Sequence, residues 1–309
     1  VGSEMCIRDS NQGIEFTLNT TNIKNRHFSW TTNFNIAFNK NKVLELAENQ
    51  SSLLSAAKFD QNYNSQYSYI AKVGYPMGMM YGFIYEGTYK YEDFDKVGDT
   101  YTLKRNVPYF SSESNTQPGM PKYADLNGDG IIDDNDRTMI GNGMPKHTGG
   151  FTNNFEYKGF DLSIFFQWSY GNDVLNANRL FFENSNKTRD LNQYASYADR
   201  WTPENPESNI PRATDSGSNK VFSTRIIEDG SFLRLKTVSL GYTLPKQLTK
   251  KWKIDNARVF VAGQNLWTCT GYSGYDPEVS IREGALTPGL DFSAYPRAYS
   301  ISFGINLGF

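Results

Sequence analysis

The sequence predicts an all-β fold, a transmembrane antiparallel β-barrel with long extracellular loops, and three observations predict it. The final residues, YSISFGINLGF, alternate apolar and small polar side chains without a break. The same alternation returns in several earlier segments. The spacers between those segments fall into two lengths, a few residues or several tens.

Taken in order, the chain begins with Val1 to Ser10 (VGSEMCIRDS), which lacks a basic stretch followed by an apolar run and so is not a secretory signal. It resembles a translated adapter sequence, so residues 1–10 are expected to be non-native, Cys6 included, and the real chain to start near Asn11. The first strand spans Gly13 to Asn22, where Ile14, Phe16 and Leu18 alternate with Glu15, Thr17 and Asn19. After a turn at Thr21 to Asn25, His27 to Asn39 places Phe28, Trp30, Phe34, Ile36 and Phe38 on one face. His27, Ser29, Thr31, Asn33 and Asn35 fall on the other, which makes a hairpin. A second hairpin joins Phe151–Tyr157 to Phe160–Tyr170 through Lys158-Gly159, with Phe160, Leu162, Ile164, Phe166 and Trp168 on its apolar face and Phe165 the one exception to the alternation. Val238, Leu240, Tyr242 and Leu244 form one face of a strand running into Pro245. Ala257 to Trp267 reads as a strand whose faces are mixed and are left unassigned. In the last strand Tyr299, Ile301, Phe303, Ile305, Leu307 and Phe309 share a face, and its length matches the roughly 9–11 tilted residues that cross a bilayer.

The long spacers run about 40–67, 88–147 and 171–224, and the short ones are Thr21–Asn25, Lys158-Gly159 and the connection from Pro245 to Asn256. Short turns on one rim and long loops on the other are the asymmetry of outer-membrane barrels. Loops above about 12–15 residues usually carry function.

Composition agrees. The 309 residues include 21 Phe, 20 Tyr and 5 Trp, yet the mean hydropathy is −0.58. Strands with one face toward lipid and one toward water reconcile the two. No stretch approaches the roughly 18 apolar residues of a spanning helix, and so many rings argue against disorder. With 31 Lys+Arg against 33 Asp+Glu, the chain has no basic excess for nucleic acid. Cys6 and Cys269 support neither a disulfide framework nor a thiolate cluster. His27 and His147 are isolated and no G-x-S-x-G elbow lies near them, so no catalytic residues and no enzyme are expected.

One segment carries explicit chemistry. Asp125 to Asp136 reads DLNGDGIIDDND, with side-chain oxygens at positions 1 (Asp125), 3 (Asn127), 5 (Asp129), 9 (Asp133) and 12 (Asp136). Gly130 stands at position 6, where the turn is sharp, and Ile131 at position 7 offers its carbonyl. This is the spacing of a calcium loop, winding the chain around one hard cation. Asp in place of Glu at position 12 is shorter, which weakens bidentate ligation. Pro118, Gly119 and Pro121 precede the loop and speak against a flanking helix, so structural Ca2+ is expected and not a sensor.

Other features are weaker. Asn186-Lys187-Thr188 matches a glycosylation acceptor, a pattern too short to inform. Met77, Met79, Met80, Tyr81, Phe83 and Tyr85 form an apolar patch read as packing. The loop aromatics Tyr89, Tyr91, Tyr101, Tyr109, Phe110, Phe181, Phe182, Tyr194 and Tyr197 either stack on sugar or peptide or pack the loops together.

Several blocks together resemble the C-terminal barrel of the SusC/RagA family of TonB-dependent outer-membrane transporters. They are Tyr81-Gly82-Phe83 with Tyr85-Glu86-Gly87, Tyr123-Ala124-Asp125-Leu126-Asn127-Gly128-Asp129-Gly130, and Arg200-Trp201-Thr202-Pro203-Glu204-Asn205-Pro206 with Ile210-Pro211-Arg212-Ala213. Further on come Phe232-Leu233-Arg234-Leu235-Lys236, Leu240-Gly241-Tyr242-Thr243-Leu244-Pro245, Gly263-Gln264-Asn265-Leu266, Gly274-Tyr275-Asp276-Pro277-Glu278, Tyr295-Pro296-Arg297 and the terminal Phe309. The resemblance covers residues 11–309. It implies the C-terminal part of a 22-stranded barrel, about eight or nine strands of it, in the bacterial cell outer membrane. It also implies oligosaccharide or peptide import with a SusD-like surface lipoprotein, energised through TonB, whose box lies with the plug in the missing N-terminal part. The rival reading is a secreted, calcium-stabilised β-sandwich that binds carbohydrate. Substrate-contacting residues are not assignable from the sequence.

Overall fold

The structure, a computed structural model, describes residues 7–309 except 62, 64, 185–191, 214–220 and 282–283. Cys6 with the rest of 1–6, and the Asn186–Thr188 motif, lie outside the described residues. Seven strands form one antiparallel sheet in chain order. These are β1 (Ile7–Lys24), β2 (Phe28–Leu46), β3 (His147–Tyr157), β4 (Phe160–Tyr170), β5 (Phe232–Thr243), β6 (Asn256–Thr270) and β7 (Ser300–Gly308). The main sheet thus has seven strands, not eight or nine. The other extended segments, such as Ser52–Ala56, Tyr67–Lys72 and Thr138–Asn142, have at most six residues and are too short to cross a bilayer. They build small sheets in the connections instead.

Side chains alternate across the sheet as the pleat requires, and the register makes one apolar face continuous over all seven strands. Leu18 lies opposite Phe34, Phe34 opposite Phe151, and Phe151 opposite Phe166. Farther along, Leu162 meets Leu240, Leu240 meets Val261, and Val261 meets Phe303. This face is bare: Ile14 is 74% and Phe303 82% exposed. No second sheet lies over it among the described residues, which removes the β-sandwich reading. Thr20, Thr32 and Asn153 interrupt this face side by side, and the Asn153 Oδ1 accepts from Trp30 Nε1 (2.9 Å) and Thr32 Oγ1 (2.8 Å). These bonds satisfy the amide oxygen within the sheet, on a face turned to hydrocarbon.

The register also assigns the faces of β6. Ala257, Val259, Val261 and Gly263 pair with Leu307, Ile305, Phe303 and Ile301 on the apolar face, and Arg258, Phe260, Ala262 and Gln264 lie on the polar one. The pattern reads as mixed in sequence for two reasons. Phe260 belongs to the polar face, where its ring covers the space above Gly304. Beyond Gln264 the ladder with β5 shifts, and Asn265 takes up the displacement with φ +52°.

Aromatic rings mark both edges of the apolar band. At the short-turn rim Phe160 meets Tyr242 at 4.4 Å between centroids. At the opposite rim His147 lies between Phe38 (5.4 Å) and Tyr170 (5.0 Å), and Trp168 Nε1 donates to its Nδ1. The eleven residues of β3 join the two rims. At about 3.4 Å per residue and a tilt of about 40° they span roughly 25 Å, the height of an outer-membrane apolar band. No helix among the described residues is long and apolar enough to cross a membrane.

Short links close the first rim. In Lys158-Gly159 both residues have positive φ (47° and 89°), the conformation that matches the strand twist in a two-residue hairpin. At the other rim stand three long connections, 47–146, 171–231 and 271–299. Residues 40–46, read from the sequence as loop, continue β2 through pairs such as Leu46 with Ile7 and Val43 with Asp9. Beyond the apolar band the strand no longer alternates, so its extension carries no periodic signal. The third connection also escapes the sequence reading, because its blocks stand out as motifs and not as a spacer.

The three connections form a crown and share a core. Tyr63, Tyr69 and Met80 from the first meet Leu175, Leu180, Phe222 and Ile226 from the second and Leu290 from the third. Val174-Leu175 and their neighbours pair with Ile227–Asp229 on one side and Leu290-Asp291 on the other. Met80 and Phe83 are buried, as packing of that patch demands.

Candidate functional site

Three regions present functional chemistry. The first is the polar face of the sheet, lined by Asn33, Asn35, Thr152, Asn154, Ser163, Gln167, Ser239 and Ser302. Between its strands an ion pair joins Arg258 to Asp161, with Arg258 Nε donating to Oδ1 at 2.9 Å. Arg258 reaches across β5 over Gly241, where any side chain would collide with the guanidinium.

The second region is a cavity of about 770 Å³ in the crown, between the second and third connections. The single turn of helix Asn178–Phe182 directs Arg179 and Glu183 to the same side, four residues apart. Arg179 Nη1 lies 2.6 Å from Glu183 Oε1, and its Nε lies 2.6 Å from Glu228 Oε1. Glu183 is also held by Arg225 (2.7 Å) and by the Ser196 hydroxyl (2.6 Å). Burial pushes the Glu228 carboxyl up, but hydrogen bonds from Arg179, from the Ser273 backbone and side chain, and from Asn176 outweigh it and hold it below the usual carboxylate range. Across the cavity, Asp291 accepts from the Tyr272 hydroxyl at 2.5 Å, and Asn178 Oδ1 accepts from Ser293 N at 2.7 Å. Burial, and then the Asp291 it donates to, pushes the Tyr272 hydroxyl far up, so it stays a donor. Phe182 and Tyr194 face one another at 5.4 Å, while Tyr275 and Tyr295 stand at the mouth, 86% and 92% exposed.

Of the loop aromatics singled out in sequence, Tyr89 and Tyr197 are buried and Phe181 packs on the crown core, whereas Phe182 and Tyr194 line the cavity. Tyr275 and Tyr295, Arg179 and Glu183 were missed. A signal existed for the two tyrosines, since both stand inside blocks that carry the family resemblance. Those blocks prove to be partners. Arg234 Nη2 lies 2.5 Å from Asp276 Oδ1 and its Nη1 lies 3.2 Å from Glu278 Oε2, while Arg297 reaches the same Glu278 oxygen at 2.9 Å. Trp201 lies over Gly119 (φ +83°), and Arg212 stacks on Trp201 while its backbone N–H donates to Gly119 O.

The third region is the acidic loop. Asp125 accepts from Gly128 N (2.7 Å) and Gly130 N (2.8 Å), Asn127 from Asp129 N, and Asp129 from Ile131 N. Asp133 accepts from Asn135 N, and the buried Asp136 accepts from Leu126, Asn127 and Asp133 N–H groups. Each predicted ligand side chain is therefore turned onto the loop's own backbone, and among the described residues no three acidic, His or Cys side chains converge on one point. The all-oxygen donor set and the glycines at φ +76° and +84° still suit a hard cation.

No protein-family model matches the chain. It is 34% identical over 97% of its length to TonB-dependent receptor P3 of Formosa agariphila, and 26% identical, again over 97%, to TonB-dependent receptor SusC of Bacteroides thetaiotaomicron. It spans 28% and 26% of those two relatives. Among solved structures, the RagAB peptide transporter superposes with a TM-score of 0.74 at 24% identity, covering 97% of this chain and 29% of that one.

Proposed function

The chain belongs to the SusC/RagA-type TonB-dependent receptors of the bacterial outer membrane, and from that premise we propose that it serves nutrient uptake, the import of oligosaccharide or peptide. One observation carries the reading: a two-faced sheet of membrane-spanning height, bare and apolar outside and polar inside, ends in a folded crown at one rim. Such a sheet is a wall between lipid and water, and the crown is the part placed to meet a solute. The lumen is formed with further strands of the whole receptor. A SusD-like lipoprotein meets the crown, and TonB supplies the energy through the N-terminal part. The relatives are receptors, which supports a role by binding and passage.

Deleting the gene for the whole receptor tests this. Growth on one oligosaccharide or peptide source, and uptake of its labelled form, should be lost, and a protonophore should abolish uptake in the parent strain. Unchanged growth on every such source would refute the proposal.

For the acidic loop, the spacing of its oxygens supports Ca2+, held by Asp125, Asn127, Asp129, Asp133 and Asp136 with the Ile131 carbonyl. The ion would stiffen the loop beyond what its own turns supply. Limited proteolysis of the whole receptor with Ca2+ and with chelator should differ at this loop. Identical patterns would remove the calcium reading.

A further inference from the structure

Strand β2 changes chemistry without changing phase. Its even positions Phe34, Ile36 and Phe38 lie on the lipid face, and the next two even positions are Lys40 and Lys42. The ladder with β1 runs without a shift through this change, with Ile14 opposite Phe38 and Gln12 opposite Lys40. The odd positions give the same phase from the other side. Asn41 Oδ1 accepts from Met77 N (2.7 Å) in the first connection, and Val43 is buried with Leu46 and Ala71. Both lysines therefore stand exposed on the outer face. Further strands of the whole receptor join the sheet at its edges, β1 and β7, and leave that face open.

The ring row of Phe38, His147 and Tyr170, which ends the apolar band at the long-connection rim, sets their height. At about 3.4 Å per residue and a tilt of about 40°, Lys40 and Lys42 begin roughly 5 and 10 Å beyond Phe38. A lipid headgroup layer is about 5–7 Å thick on each side of the hydrocarbon, so both ammonium groups reach it. A third cation stands beside them. The turn Lys72–Tyr75 is bonded to Val43, from Val43 N to Tyr75 O and from Gly74 N to Val43 O (both 2.9 Å). Lys72 Nζ lies 5.5 Å over the Tyr75 ring. Residues 37–44 and 72–78 thus supply three lysines and no acid, a local excess in a chain of net charge −2. Glu45, the next charge on β2, is turned to Arg8 (3.7 Å). Alternate residues on one strand face lie about 7 Å apart, close enough for two long side chains to close on one phosphate.

We propose that Lys40 and Lys42, with Lys72 beside them, bind a phosphate of lipid A, the phosphorylated glycolipid of the outer leaflet. Its acyl chains would run down over the ring row and the apolar face. The leaflet follows from the rim, since long connections face outward in such barrels. A membrane lipid fits better than a soluble anion because the cations continue the hydrocarbon face without a break, so one ligand meets both. Lys72 belongs to the first connection, and the bound phosphate would therefore fasten the crown as well as the sheet to the membrane. The site lies outside the barrel and does not depend on the import reading.

The test uses the whole receptor purified in detergent, titrated with bisphosphorylated lipid A, with lipid A stripped of its phosphates, and with inorganic phosphate. The phosphorylated lipid should bind, and more weakly at higher salt because charge is exchanged. Lys40→Gln with Lys42→Gln should weaken it about tenfold or more, as loss of two cations at an anionic surface does. Lys40→Arg with Lys42→Arg should keep most of the affinity. Lys250→Gln with Lys251→Gln, at the opposite rim, should leave it unchanged, and all variants should keep the wild-type heat-shifted gel migration of a folded barrel. Failure of the phosphorylated lipid to bind overturns the proposal, as does unchanged affinity in the Lys40 and Lys42 glutamine variant. Equal binding of the stripped lipid removes the phosphate, and full competition by inorganic phosphate at equal concentration reveals a free-anion site instead. An equal loss in the Lys250 and Lys251 variant reveals unspecific attraction, and each of these three outcomes also overturns it.

Discussion

Phe303, in the last strand of the sheet, is 82% exposed, whereas Met80, in the first connection above it, has no exposed surface. The contrast extends to the two regions they belong to. The sheet has no interior of its own: it is ordered by ladder hydrogen bonds, and its apolar side chains find their solvent in lipid. The crown has an interior like that of a water-soluble domain, with Tyr69, Met80, Leu175 and Leu290 buried together. One half of the molecule is therefore held by the bilayer and the other by the hydrophobic effect, and substitutions should sort accordingly.

The largest effect should come where the two regions are tied. Arg234 is buried on β5 and its partners Asp276 and Glu278 stand in the third connection. Arg234→Ala leaves Asp276 buried without its counter-charge, a loss of about 3–5 kcal/mol. Proteolysis of the whole receptor should then cut the third connection, and an uncut third connection would show that the tie is not needed. Met80→Ala empties the crown core at a cost of about 2–5 kcal/mol. It should open all three connections to protease yet leave the heat-shifted migration of the barrel unchanged, and a lost gel shift would erase the distinction between the regions. Leu240→Arg on the lipid face should cost about 2–4 kcal/mol if the residue is near the midplane, whereas Ser239→Arg, its neighbour on the polar face, should change folded yield little. Equal losses in the two variants would mean that the faces are misassigned.

The smallest effect is acidic. Burial raises the carboxyls of Glu228 and Asp276, but hydrogen bonds outweigh it and leave both below their ordinary range in the folded chain. Such groups stabilise the fold above the unfolded carboxylate pKa, about 4, and that stability is lost as pH falls through the lowered folded value. The crown should therefore become protease-sensitive with an acid protease below about pH 4 while the sheet keeps its gel shift. Sensitivity that is the same at pH 3 and pH 6 would contradict this.

The same contrast explains what the sequence made legible. Alternation in Gly13–Asn22, His27–Asn39, Phe160–Tyr170 and Tyr299–Phe309 is a local consequence of lipid on one side and water on the other, so each strand announces itself. The crown offers no period, because Tyr69, Leu175 and Leu290 meet across more than two hundred residues of chain and no local pattern reports that meeting. Even Ala257–Trp267, a strand of the sheet, was obscured by one inward ring at Phe260 and one bulge at Asn265. The acidic loop shows the reverse: six positions with the right spacing were legible, yet the structure turns the side chains onto backbone N–H groups that the spacing does not mention.

The shared core of the three connections bears on how such a chain can change its loops. A loop grafted singly from a relative would bring one third of an interior and bury it against two surfaces shaped for another. Diversification by recombination is thus expected to move the three connections as one cassette, with the strands between them carried along as passive spacers.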